Sequence, residues 1–332
     1  MNNTLKERLD LFSANAQSMK KEFVLQEPLI KRLAALLYAA ENLTVDCDAI
    51  RECRELIRMN TGIFSNFRGN LAVCIATLLS LSDNREEQLS GTLEVYDIMK
   101  EMKFRASDYL VVAAYQIAQA ADKPNYRQVV ERAKAFYDGM KKNHWFYTGK
   151  DDYIFAAMLG LSDINVQTGI ERMEQLHQRL KPKFSSGNGV QALTQVLALG
   201  GETNETVIRL LNLNQLFRER NLRLDKEDTL SSLGILSLIP VDTGTIATDV
   251  LEAYDFLRAQ KDFGMWSVSK QELVLFSAAI TAFAYLDDVK SGVITTALST
   301  SITNIILAQQ MVFSAAAASS AAAAASSLSS NG

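Results

Sequence analysis

Dense apolar runs and amphipathic stretches alternate along most of the chain. Each apolar run begins after a polar residue and is followed by a short polar turn, an amphipathic stretch and an aromatic residue or leucine. The runs are LIKRLAALLYAA from Leu29, LAVCIATLLSL from Leu71, YLVVAAYQIAQA from Tyr109, YIFAAMLGLSD from Tyr153, VQALTQVLAL from Val190, TLSSLGILSLI from Thr229 and ELVLFSAAITAFAYL from Glu272. This recurrence predicts a repeat protein.

Two sets of marker residues keep the same period. The polar residues that open the runs are Glu27, Asn70, Asp108, Asp152, Asn188, Asp228 and Glu272. The hydrophobic residues that close the units are Phe64, Phe104, Phe146, Phe184, Leu222 and Phe263. Both sets recur every ~41 residues, which is within the range of helical-hairpin repeats.

Each unit predicts two unlike helices. The apolar run has hydrophobic residues nearly all round, which is typical of a helix that packs on most sides. The amphipathic stretch carries a single stripe, as in Tyr126, Val130 and Tyr137, whose spacing places them on one helical face. We therefore predict an all-α protein of about seven tandem hairpins, forming either an α-solenoid or an α/α toroid. Residues 1–313 are expected to form one domain, followed by an Ala/Ser-rich low-complexity tail at 314–332.

Composition excludes several classes of protein. The net charge of −4 and the absence of a basic stripe argue against a nucleic-acid binder or an anionic-membrane binder. The segment from Val293 to Val312 carries too many amides and hydroxyls to span a membrane. Three cysteines without CxxC spacing, and a polar start without an apolar core behind it, predict a cytoplasmic chain that has no signal peptide.

Several strings resemble a known family. They are PLIKRLAALLYA, FSNFRGN, MKKNHWFYTGKDDYIFAA and KFSSGNGVQALTQVLAL, and the resemblance runs from about residue 5 to residue 313. The chain resembles a family of bacterial proteins known only as domain of unknown function 4003. The resemblance implies a helical cytoplasmic protein and lends neither an activity nor a role for any residue.

The opening polar residues have two interpretations. Asp, Asn and Glu at the start of an apolar run suit helix capping, because a side-chain oxygen accepts from free backbone N–H groups. The alternative is a rim of carboxylates and amides, since every loop that leads into an inner helix should lie at the same edge.

The loop KKNHWFYTGKDD is the richest in candidate chemistry. His144 together with Asp151 and Asp152 could perform acid–base chemistry or hold a divalent ion. The structural alternative has Trp145 and Phe146 filling the hairpin interface, Thr148 or Asp151 capping the next helix and His144 bonding a carbonyl. The second histidine of the chain, His177, lies on the flank of an amphipathic stripe and is expected to be a satisfied interface residue. Two histidines exclude a multi-histidine metal site, and we predict neither a metal nor a cofactor.

Two further loops could bind an anion. Arg68 precedes Gly69 and Asn70 at the start of one apolar run, where a guanidinium and a helix N-terminus favour negative charge. Asn188 and Gln191 repeat this arrangement without an arginine. Glycine before a helix is also a common turn device, so each signal is weak taken alone.

No motif for catalysis or nucleotide binding is present: GxGxxG, GxxxxGK[ST], HExxH and GxSxG are all missing. Two functions stay open. The first, favoured by the lack of a catalytic signature, is a non-enzymatic scaffold that binds a peptide or protein. The second is a toroidal enzyme or a binder of a small anion or other ligand, with its site at the rim of the inner-helix N-termini. That rim would contain Arg68, Asn70, His144, Asp151, Asp152, Asn188 and Gln191.

Overall fold

The computed structural model describes residues 3–287, 310, 312 and 313. These residues form fourteen α-helices and three short 3₁₀ segments, and no strand occurs among them. The prediction of an all-α protein is confirmed. The Ala/Ser-rich tail, and nearly all of the segment from Val293 to Val312, lie outside the described residues.

The helices alternate between an outer and an inner type. The outer helices are α1 (Asn3–Glu22), α3 (Cys47–Asn60), α5 (Arg85–Glu101), α7 (Tyr126–Asn143), α9 (Val166–Leu180), α11 (Asn204–Glu219) and α13 (Thr243–Ala259). The inner helices are α2 (Pro28–Ala40), α4 (Ala72–Ser80), α6 (Asp108–Ala120), α8 (Asp152–Leu161), α10 (Gly187–Leu199), α12 (Leu230–Leu238) and α14 (Lys270–Asp287).

Burial follows the predicted difference between the two types. In α7 the buried side chains lie on one stripe that includes Tyr126, Val130 and Tyr137, while charged residues occupy the other faces. In α12 every residue from Leu230 to Leu238 is buried. An apolar helix without a polar face is stable in water only when it is covered on all sides, and α12 meets that condition.

The packed hairpin is an outer helix followed by an inner helix. Each inner helix packs against the outer helix that precedes it, as α2 does on α1, α8 on α7 and α14 on α13. The sequence pattern grouped each apolar run with the amphipathic stretch after it, because the turns between those two are short. It also gave no helix in front of Leu29, whereas α1 is a full outer helix with Leu5, Leu9 and Phe12 buried.

The two ends of the helix array contact each other. Helix α14 packs against α2, and α1 packs against both α13 and α14. Two ion pairs cross this junction: Arg32 Nε lies 2.6 Å from Glu272 Oε1, and Lys20 Nζ lies 2.5 Å from Asp262 Oδ1. The first and last units are therefore neighbours in space.

Arginines on outer helices bind the carboxyl ends of inner helices. The guanidinium of Arg132 donates to the backbone oxygens of Gly160, Ser162 and Ile164 at 3.0, 2.5 and 2.9 Å. Arg209 binds the end of α12 in the same way, and Arg8 binds the end of α2. A cation at this position supplies donors to free carbonyls and opposes the negative end of the helix dipole. No pattern in the sequence pointed to these arginine contacts.

The predicted closing hydrophobes divide into two groups. Phe104, Phe184, Leu222 and Phe263 are buried as the period predicts. Phe64 and Phe146 are not: their side chains are 96% and 77% exposed. Phe64 and Phe146 therefore keep the period of the repeat without joining the core.

Two further expectations, about membrane-spanning helices and about the cysteines, can be compared with the structure. Across the described stretch of chain, no helix combines the length and apolar character that a membrane crossing requires. Cys47, Cys53 and Cys74 are all free, which agrees with the unpaired thiols expected from their spacing.

Candidate functional site

The loops that connect each outer helix to the following inner helix gather at one edge of the molecule, here called the loop edge. They comprise residues 23–27, 61–71, 102–107, 144–151, 181–186, 220–229 and 260–269. Successive loops bond to one another. Lys150 Nζ donates to the Ala106 oxygen at 3.5 Å, and Ser186 Oγ donates to Glu227 Oε2 at 2.9 Å. The loop edge is therefore a continuous polar surface across several units.

Most opening polar residues bind the next unit, and few cap their own helix. The caps are made by residues that precede them: Ser107 for α6 and Ser186 for α10 accept from backbone N–H groups. Asp228 accepts from Gln271 of the next unit. For α6 and α10 the capping residue therefore lies one or two positions before the opening residue, while Thr229, the N-cap residue of α12, makes no side-chain bond to its helix.

Asp152 is the most strongly held of these side chains. One carboxylate oxygen accepts from the Gly149 N–H at 2.8 Å, and the other accepts from the side-chain amides of Gln191, at 3.1 Å, and Gln195. The Gln191 amide also donates to Thr148 Oγ1 at 3.1 Å. Asp152, Gln191 and Gln195 are all buried, so this network joins α8 to α10 away from water.

Burial sets the protonation of this site. Burial, and after it the charge of the neighbouring Asp151, together raise the pKa of Asp152 to about 7, against the opposing effect of the two glutamine amides. The pKa of Asp151 is also raised, first by burial and then by Glu227. A carboxyl group that titrates near neutrality is available for proton transfer, but the hydrogen bonds to Asp152 already occupy both of its oxygens.

The two histidines of the chain contact each other. The rings of His144 and His177 have centroids 4.1 Å apart, and His144 Nε2 faces Glu174 Oε2 at 2.7 Å. Among the residues that the structure describes, His177 Nε2 has no hydrogen-bond partner, which differs from the expectation of a satisfied interface histidine. Burial lowers the pKa of His177, and the nearby His144 lowers it further.

A small cavity lies beside these rings. It has a volume of about 20 Å³ and is lined by residues that include His144, Glu174 and Gln191. Such a volume holds a single water molecule, and the unpartnered Gln191 Oε1 would accept from it. Among the described residues no group of three or more His, Cys, Asp or Glu side chains is arranged to hold a metal ion. The cluster can bind water or share a proton, but it has no room for a substrate.

Asn188 extends the polar contacts of the loop edge. Its amide donates to Glu227 Oε1 at 3.1 Å and is hydrogen-bonded to Asp151 as well. The structure thus brings together five of the predicted site residues around the junction of α8 and α10. These five are His144, Asp151, Asp152, Asn188 and Gln191.

Arg68 and Asn70 belong to a different loop. The Arg68 guanidinium donates to Thr61 Oγ1 at 3.1 Å and to the backbone oxygens of Arg58 and Thr61. These contacts cap the end of α3, so the Arg68 guanidinium is already hydrogen-bonded to backbone oxygens. Asn70 is exposed and precedes α4 without capping it.

Pairs of adjacent large hydrophobic residues protrude from four loops of the loop edge. These are Val24 with Leu25, Ile63 with Phe64, Trp145 with Phe146 and Met265 with Trp266. The Leu25 and Trp266 side chains are 97% and 102% exposed. The Trp145 and Phe146 rings stack on each other at 3.6 Å instead of filling the hairpin interface, which corrects that prediction.

Sequence reasoning missed this surface although a signal was present. In each of these loops, two large apolar residues stand next to each other among polar residues, outside the stripe of the preceding helix. The structural alternative for the loop KKNHWFYTGKDD placed Trp145 and Phe146 in the hairpin interface. Isolated exposed apolar residues are common, but four pairs at one edge are a recognised mark of an interaction surface.

Basic residues surround the apolar pairs. The last turns of the outer helices carry Lys20, Lys21, Arg58, Lys100, Lys141, Lys142, Arg179, Arg218 and Arg258. Cations at helix carboxyl ends are stabilised by the helix dipole, which accounts for their position. These helix ends place basic side chains next to the loop edge, and some of them form ion pairs, as Lys20 does with Asp262 and Arg58 with Glu55.

Comparison with known proteins places the chain in a family. It is 23% identical over 287 residues to the protein described as "Uncharacterized protein YeaA" of Bacillus subtilis (strain 168), an alignment that covers 85% of this chain and 84% of that protein. No solved structure matches the chain. The model of the family described as "Protein of unknown function (DUF4003)" matches residues 15–311. The chain therefore belongs to the DUF4003 family, as the strings quoted above indicated.

Proposed function

We propose that the fourteen helices form one closed α/α toroid within a single domain over residues 1–313. The contacts of α2 with α14, and of α1 with α13 and α14, support closure over an open solenoid. Neighbouring inner helices also pack in sequence order from α6 to α14. In this arrangement α1 takes the outer position beside the last inner helix, which explains why the first unit begins with an amphipathic helix.

We propose further that the protein is a non-enzymatic cytoplasmic binding protein whose working surface is the loop edge. The observation that carries this proposal is the set of four exposed apolar pairs on that edge. Water disfavours such pairs, and at about 25 cal/mol per Å² of apolar surface removed from water, covering them would supply a large part of a binding free energy.

The partner that fits is a polypeptide with apolar residues flanked by Asp and Glu. Apolar side chains would cover the exposed pairs, and acidic ones would face the basic last turns of the outer helices. A lipid surface fits less well because acidic groups lie among the cations: Asp262 pairs with Lys20, and Asp225 pairs with Arg223 at 2.8 Å. A continuous anionic surface would have to approach these carboxylates, whereas a peptide can place its acidic residues away from them.

A displayed peptide library tests the proposal. We expect selection on the intact protein to enrich peptides with apolar residues beside acidic ones. The variant Trp145→Ser/Phe146→Ser should lower the affinity for a selected synthetic peptide by about tenfold or more, as measured by fluorescence anisotropy. The matched control is Leu43→Ser/Ile208→Ser, which removes exposed apolar groups outside the loop edge and should leave affinity unchanged.

Three results would contradict this function. One is equal loss of affinity in the two double variants, and another is enrichment of peptides with basic flanks. The third is binding to vesicles of anionic phospholipid in preference to the selected peptides, which would make the loop edge a lipid-binding surface.

The second candidate is a ligand or catalytic site at the inner-helix N-termini. The observation in its favour is the cluster of the buried His177 with the partly exposed His144 and Glu174, close to an acid whose pKa is near neutrality. The cavity there has a volume of about 20 Å³, so a substrate could enter only if the loop that contains His144 moved. The scaffold is therefore the better supported of the two.

A further inference from the structure

A larger cavity lies where the first and last units meet, and we call it the seam pocket. It has a volume of about 290 Å³ and lies between α1, α2 and the loop from α13 to α14. Its lining includes Lys20, Lys31, Arg32, Asp262, Phe263 and Trp266. A volume of this size is at the lower end of the range for small-molecule sites.

The charges of the seam pocket do not balance. Lys20 pairs with Asp262, and Arg32 pairs with Glu272, whose side chain is as buried as that of Arg32. Lys31 forms no ion pair within the part of the chain that the structure describes. Burial lowers the pKa of Lys31, and the nearby Lys20 and Arg32 lower it further; Glu27, one turn away, opposes these effects as the smallest contribution. One cation of the pocket is left for an external anion.

The amino end of α2 adds to this positive potential. Pro28 lies at the first turn of the helix, and the N-cap residue, Glu27, makes no side-chain bond to the helix. Within the described part of the chain, no side chain caps the backbone N–H groups of Leu29 and Ile30. A helix amino end with free N–H groups favours negative charge, and here it lies beside Lys31.

The lining of the seam pocket also has an apolar part. Phe263 and Ala16 are buried, and the Trp266 side chain is fully exposed. A pocket lined by both cations and apolar groups favours a molecule that has an acidic group and an apolar body. We propose that the seam pocket binds a small organic anion, with its acidic group at Lys31 and its apolar or aromatic body against Phe263 and Trp266.

Such a ligand would contact both ends of the helix array. Its acidic group would lie on α2 and its body on the loop that leads into α14, so binding would hold the first and last units together. The seam pocket shares Trp266 with the loop edge, but the two proposals can fail separately, since the peptide test uses Trp145 and Phe146, which do not line the seam pocket.

Tryptophan fluorescence provides the test. The chain has two tryptophans, and Trp145→Phe leaves Trp266, which lines the seam pocket, as a reporter. In this background we expect phenyl phosphate to change the fluorescence saturably. Inorganic phosphate has the acidic group without the ring, and phenol has the ring without the acidic group. Each should bind at least about tenfold more weakly than phenyl phosphate, a difference equivalent to about 1.4 kcal/mol.

A pair of lysine variants locates the site. Lys31→Gln should lower the affinity for phenyl phosphate by about tenfold or more. Lys142→Gln, which removes an exposed cation from the last turn of α7, should leave that affinity unchanged. Circular dichroism of each variant verifies folding. Equal affinities in the two variants, phenol binding as tightly as phenyl phosphate, or the absence of a saturable change would each overturn the proposal.

Discussion

Asp152 shows how single residues of the loop edge act between units. Its position before an apolar run identified it as a candidate, but its partners Gln191 and Gln195 lie in the following unit. A local sequence pattern reports helix starts, whereas a contact between units depends on how the helices pack. Gln191 was identified beside Asn188 as a possible anion ligand, and its use as a donor to a buried carboxylate could not be read from spacing.

The raised pKa of Asp152 leads to a prediction about pH. Burial favours the protonated form in the folded state, with a pKa of about 7 against the ordinary value of 3.8. The stability associated with this group is therefore fully present below pH 3.8 and is lost as the pH rises through about 7. We expect Asp152→Asn to flatten the fall in the free energy of unfolding between these pH values, as measured by urea denaturation.

The matched control is Asp97→Asn, which changes an exposed carboxyl group on α5. Its curve should run parallel to that of the unchanged protein across the same pH range. If Asp152→Asn also ran parallel, Asp152 would be ionised throughout that range, and its hydrogen bonds would outweigh burial.

At the scale of helices, the pattern predicted the type of element better than the pairing. The apolar runs became buried inner helices because no polar face was available to meet water. The outer helices were predicted from the apolar stripe of each amphipathic stretch. The pairing of outer with inner could not be obtained, because turn length does not determine which neighbour a helix packs against. The arginines at the ends of inner helices were missed for a related reason: Arg132 reaches carbonyls about thirty residues ahead.

Arg132 permits a test of these helix ends. Arg132→Met keeps much of the aliphatic packing but leaves three backbone oxygens at the end of α8 without their donor. Hydrogen bonds from charged groups contribute about 1.5–3 kcal/mol each at most, so we expect a loss of about 2 kcal/mol or more in the free energy of unfolding. Amide hydrogen exchange should speed up around residues 158–165.

An exposed arginine on the same helix is the control. Arg127 makes one ion pair, with Glu101 at 2.9 Å, on the solvent side of α7. Arg127→Met should change the free energy of unfolding by less than about 1 kcal/mol. A loss of that small size for Arg132→Met would show that water replaces the guanidinium at the end of α8.

At the scale of the whole molecule, the period predicted a repeat array but could not predict whether its ends meet. Closure depends on a small rotation between units that accumulates over the array, and no residue pattern reports that angle. The contacts that cross the junction, such as Arg32 with Glu272, join positions at opposite ends of the chain. They become visible only in three dimensions.

The buried pair of Arg32 and Glu272 allows the junction to be tested. The carboxylate is buried and its pKa is raised by that burial, while Arg32 offsets the effect. Arg32→Met would leave Glu272 without its partner, and losses of about 3–5 kcal/mol are typical when one member of a buried ion pair is removed. Replacing both, as Arg32→Met/Glu272→Met, removes the unpaired charge and should recover much of that loss.

Hydrogen exchange measures the effect on the junction. We expect exchange in the single variant to speed up in α2 and α14 together, since these helices meet only through closure, and to return toward normal in the double variant. Faster exchange confined to α2 would mean that the ends of the array are not energetically coupled, and the toroid proposed here would then lose its main support.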